Sequence, residues 1–192
     1  MASVVAVLAS AQPSSVDWRG HHWRTGTAIR VWIDPDQMPP KGGALVEKAM
    51  KTWTVAAGGR FTLVEAWETT APVRLHFFSA DYRYGVTAPR VDPATGFIVK
   101  AEVAVAADAG RDLLEREIIV YLTALHELGH ALGLEHTNDI NTIMYLFREP
   151  GDGEKFFGAY RRKLKSADDI GSANATGLSP SDVVTLRALY DK

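Results

Sequence analysis

Apolar positions along the chain recur with two periods. Ile29, Val31 and Ile33 alternate with other residues over 28–33, the period of a half-buried strand, and Asp34-Pro35 ends the run. After Pro39-Pro40, Leu45, Val46, Ala49, Met50 and Trp53 return at helical spacing, which predicts a helix over 42–57 closed by Gly58-Gly59. Residues 61–65 and 73–78 read as further strands, with His76 a satisfied or surface histidine. Residues 81–89 contain Gly85 and Pro89, which suit a short edge strand, because proline cannot donate to a ladder. Residues 92–96 read as a turn and 97–106 as a strand, with alternation at Val103 and Val105.

Asp112 opens a helix expected to run to about 132, its carboxylate suited to the positive end of the helix dipole. Leu114, Ile118, Tyr121, Leu122 and Leu125 supply its apolar face. Residues 147–177 are polar and rich in Gly, Lys and Asp, and read as a long loop with room for one short helix. Ser179 as N-cap and Pro180 at the first helical position start a last helix to 190, with Val183, Leu186 and Leu189 inward. No internal repeat is visible.

Composition narrows the class. The 192 residues suit one domain, and 46% hydrophobic content excludes a disordered chain. A net charge of −2, with no basic cluster interleaved with aromatics, excludes a nucleic-acid platform. There is no cysteine, hence no disulfide. The small apolar residues 2–11 are compatible with a secretion-signal remnant, a misplaced start or an N-terminal strand. No run has the length of a membrane span, so no membrane partner is expected. His21 and His22 are adjacent, but neighbouring side chains on an extended chain point opposite ways. The segment 16–27 is therefore read as packed onto the body by its tryptophans.

The chemistry lies in 126–136, which read H-E-x-x-H-x-x-G-x-x-H. Residues four apart on a helix lie about 40° apart around the axis, so His126 and His130 share a face, with Glu127 near it. Gly133 can end the helix in a left-handed turn, and His136 can then add a third nitrogen. Three neutral imidazoles with one open position describe a catalytic zinc site, and Glu127 would take a proton from the zinc-bound water.

This motif, with Ile143-Met144-Tyr145 at the distance of a Met-turn, resembles the metzincin zinc peptidases. Gly129 and Thr137 resemble the matrixin branch, the matrix metalloproteinases and their bacterial relatives, and weaker likeness runs from 29 to 190. The resemblance implies a zincin-like α+β fold: a twisted, mostly parallel five-stranded sheet with an antiparallel edge strand, two long helices behind it, and a small C-terminal subdomain with the Met-turn and a final helix. It implies an N-terminal segment 1–27 and a catalytic domain 28–192, divided into 28–133 above the cleft and 134–192 below. The implied activity is that of a secreted, monomeric zinc endopeptidase acting on peptides or proteins. Met144 would form an apolar floor beneath the imidazoles. Substrate would add as a strand near Gly85, Val86, Thr87 and Ala88. The main pocket would take an apolar residue after the cut, walled by Tyr145, Leu146 and Phe147, with Leu122 at the position that sets its depth.

Several positions depart from the family pattern. Vertebrate matrixins hold a structural zinc and calcium between the third and fifth strands; here that region has only His76, and Ala88 falls near a family histidine. One catalytic zinc is expected, with no structural zinc or calcium. Leu146 replaces a frequent proline, Ser181 and Asp182 stand where two aspartates are usual, and the thiol latency device is absent. The stretch from 144 to 178 is longer than in vertebrate enzymes, which favours a prokaryotic-type relative. A zinc-holding but catalytically silent or autoinhibited interaction domain is the alternative, against which stands the retained Glu127.

Overall fold

In the computed structural model the described residues are 17–80 and 83–192. The apolar stretch 2–11 and the first two residues expected in the edge strand lie outside them. Five strands form one sheet: β1 (Thr27–Ile33), β2 (Phe61–Glu65), β3 (Val73–Phe78), β4 (Gly85–Val91) and β5 (Ile98–Ala106). Their order is β2-β1-β3-β5-β4, and only the β4–β5 pair is antiparallel.

β4 starts and ends later than the sequence suggests. The turn at Asp92 joins it to β5 as a hairpin, with Asp92 N–H donating to the Phe97 carbonyl at 2.9 Å, so the strand runs on to Val91. Pro89 is tolerated because β4 is an edge.

Helix α1 (Gly42–Ala57) and helix α2 (Leu113–Ala131) pack against each other, α1 also against β2 and α2 against β5 and β4. The expected stripe of α1 is buried, and the fully buried Trp53 ties the pair together by donating its indole N–H to the Leu125 carbonyl at 2.8 Å. Asp112 caps α2 by accepting from Glu115 N–H at 2.9 Å.

The stretch after Tyr145 is more ordered than expected. It contains a ten-residue helix, α3 (Asp152–Arg161), and a short 3-10 turn at Ala167–Asp169. Phe157 and Tyr160 bury its inner side, while the polar outer face hides that pattern in the sequence. The last helix, α4 (Pro180–Tyr190), begins with the reciprocal Ser179–Asp182 capping box. No helix among the described residues is long and apolar enough to cross a membrane.

Candidate metal centre

α2 presents His126 and His130 one turn apart. The helix stops at Leu132, and Gly133 takes φ of 100° where the His21 carbonyl leaves no room for a Cβ. That turn brings His136 back to the helix. The three Nε2 atoms lie 3.0, 3.1 and 3.3 Å from one another. His126 donates its Nδ1–H to the Ile143 carbonyl at 2.6 Å, and His130 donates its own to Leu134 at 2.8 Å. Carbonyls only accept, so in both rings the proton sits on Nδ1 and the Nε2 lone pair faces inward.

Three facing lone pairs repel one another unless a cation lies between them. Imidazole nitrogens placed tetrahedrally about 2.0–2.1 Å from zinc stand roughly 3.3 Å apart, so the separations fit. Burial pulls the pKa of His126 down to about 4 and that of His130 down to about 3, and lowers that of His136. All three shifts favour the neutral form that binds metal. Among the described residues, these histidines form the one cluster able to hold an ion.

Glu127 is buried beside them. Thr87 on β4 donates its hydroxyl to Glu127 Oε2 at 2.6 Å and also lies 3.0 Å from the Glu127 backbone carbonyl. Gly85 crosses the other oxygen so closely that a Cβ there would stand 2.5 Å from Oε1. Burial raises the pKa of the carboxyl to about 7, opposed by the Thr87 hydrogen bond.

The sequence model of the matrixin family matches residues 30–171. The chain belongs to the matrixin family. It is also 32% identical over 114 residues to interstitial collagenase of Sus scrofa, a match covering 52% of this chain and 22% of that protein. The chain thus spans about a fifth of that relative's length. Membership supports a metalloprotease as the general class.

Beneath the matrixin centre, Met144 is buried with its sulfur under Gly129, where a Cβ would approach to 2.5 Å. The chain after His136 pairs with the Met-turn, Thr137 N–H donating to the Met144 carbonyl at 2.8 Å and Leu146 N–H to Thr137 at 3.3 Å. Buried Asp182 secures the turn from α4, accepting from Ile143 N–H at 3.1 Å and Ser179 N–H at 2.7 Å.

A cleft of about 560 Å³ runs across the centre. The structure brings Gly85, Val86 and Thr87 to one rim, Tyr145, Leu146 and Phe147 to the other, and Leu122, 2% exposed, to the wall below. Ala88 does not line the cleft; it points from the exposed strand opposite Glu102. His76 lies away from it, with Nδ1 2.8 Å from Asp34 and Nε2 3.3 Å from Glu102. His21 and His22 are engaged by the carbonyls of Gly96 and Trp23.

Several lining residues escaped the sequence reading. Trp23 packs the N-terminal segment as expected, donating to Ala131 at 2.7 Å. Trp18 instead enters the cleft, its ring edge-on to His130 with centroids 5.6 Å apart. Tyr84, Thr123, Phe156 and Phe157 were also unforeseen. For α3 a signal existed: Asp152 and Glu154 in its first turn ahead of Phe156, Phe157 and Tyr160.

Proposed function

We propose that this matrixin is a zinc-dependent endopeptidase in which His126, His130 and His136 hold one zinc and Glu127 is the general base. The arrangement of Glu127 carries the reading: a buried carboxylate beside three converging nitrogens, fixed on one oxygen by Thr87 and free of the β4 backbone only because residue 85 is glycine. Zinc in such a site supplies Lewis acidity and lowers the pKa of a bound water towards about 7. Oε1 of Glu127 would accept a proton from the water that attacks the peptide carbonyl and would return it to the leaving amine.

Substrate lies as an added strand along β4, the open edge of the sheet. The pocket over Leu122 and Phe147 takes an apolar residue after the cut. Residues 28–192 act as the catalytic unit, cleft between 28–133 and 134–192, in a secreted monomer whose partners are peptides or proteins. The test compares wild type and Glu127→Ala, both loaded with zinc, on a peptide mixture with and without chelator. The variant is expected to keep one zinc per chain and lose about 10²–10⁴ in kcat/KM. Unchanged cleavage by the variant, or cleavage that survives complete metal removal, would overturn the assignment.

A further inference from the structure

We infer that α3 makes the pocket beside the metal centre selective for an aromatic side chain over an aliphatic one of similar size. The inference rests on the peptidase reading for which side chain arrives there, the one after the scissile bond.

Six aromatic residues line the cleft against four aliphatic ones, so rings outnumber aliphatic side chains among its apolar groups. Five of the six touch ring to ring; Tyr145 only tilts against Phe147, and the other four form an edge-to-face cluster. Tyr84, just ahead of β4, meets Phe157 of α3 with centroids 5.0 Å apart and planes at 69°, and meets Phe147 at 5.8 Å and 89°. Phe147 meets Phe156 at 5.5 Å and 63°. All three contacts are edge-to-face, in which the positive rim of one ring rests on the negative face of the next. Phe157 is fully packed, whereas Tyr84, Phe147 and Phe156 are half-buried and keep ring surface towards the cleft. An incoming phenyl group extends this array with the same geometry. A saturated ring or branched chain fills the volume but has no quadrupole to match.

The cluster is held in place before substrate arrives. Asp152, at the start of α3, accepts from the Tyr145 hydroxyl at 2.9 Å and from Arg148 and Glu149 N–H at 3.0 Å each. Tyr160 at the far end stacks on Tyr121 at 6.0 Å and donates its hydroxyl to Ala175 at 2.6 Å. Room remains because Gly151 and Gly153, which line the same wall, bring no side chain into it. Little reorganisation opposes binding, so the ring contacts contribute to selectivity.

The test uses peptides identical except after the cut, where they carry Phe, cyclohexylalanine or Leu. For zinc-loaded wild type, kcat/KM for Phe is expected to exceed both others about tenfold. In Phe156→Leu, which keeps an apolar wall and removes one ring, the ratio should fall to within about twofold. The same panel is titrated by calorimetry against zinc-loaded Glu127→Gln, whose binding preference needs no turnover. Cyclohexylalanine equal to Phe, or a ratio unchanged in Phe156→Leu, overturns the inference while leaving the peptidase reading intact. Binding that prefers Phe, with no cleavage of any peptide by wild type, overturns the peptidase reading and supports the pocket.

Discussion

The two walls of the cleft are built differently. The wall of α2 and β4 consists of periodic elements locked into the sheet and core: β4 is paired along its length with β5, and Leu122, Leu125 and Leu128 are buried at 2% exposure or less. The wall after Met144 has no sheet behind it. It is held by two buried carboxylates, Asp182 of α4, which accepts from the Met-turn, and Asp152 at the start of α3, and by the stack of Tyr160 on Tyr121. In the proposed reading the first wall carries the groups of the chemistry, which tolerate little displacement; the second carries the groups that choose a side chain, and hydrogen-bonded clamps suffice there. On that reading, catalytic geometry rests on regular structure and selectivity on individual side chains.

The sharpest way to break the first wall is Gly85→Ala. The new methyl group would stand 2.5 Å from Glu127 Oε1 and 2.6 Å from its Cγ, so the Glu127 side chain must swing away while the fold persists. Kinetics on a good peptide should show kcat/KM down about a hundredfold with zinc content unchanged, because roughly 1 Å of misplacement has that cost. Activity within a factor of three of wild type would mean that Glu127 does not need this position.

For the second wall, Asp182→Ala removes the acceptor for two backbone N–H groups, that of Ile143 being buried. Urea unfolding should register a loss of about 2 kcal/mol, the magnitude of a charged hydrogen bond lost with its donor left unpaired. An unchanged midpoint would show that the Met-turn does not depend on the clamp.

The smallest effect returns to the first wall. Thr123 is 4% exposed and its hydroxyl has no partner among the described residues, whereas Thr52 on α1 returns its own to the Lys48 carbonyl at 2.9 Å. Thr123→Val keeps the shape and removes the unpaired group. Stability should rise by about 1 kcal/mol, read from the same denaturant curves. A decrease would reveal that the hydroxyl is satisfied in solution.

These regions were also unequally legible in the sequence. Local periodicity carries most of the first wall: His126 and His130 are four positions apart, and helix pitch alone places them together. Gly133 announced the turn that returns His136, and Ser179-Pro180 announced α4. In the second wall, the one short helix expected within 147–177 could not be placed, because its first turn lacks a side-chain cap and its apolar residues sit among Lys, Arg and Gly.

The chain by itself therefore determined the identity and spacing of the candidate ligands and base, the strand–helix order and the elements that hold them, since helix pitch and strand alternation act over a few residues. Tertiary structure alone decided the hydrogen bond from Thr87 to Glu127, the clamp from Asp182 to Ile143, the edge of Trp18 on His130 and the meeting of Tyr84 with Phe157. Each joins residues about forty or more apart in the chain. No local period relates such positions; only the packing of α2 against the sheet, and of the chain after Met144 against α2, brings them within contact.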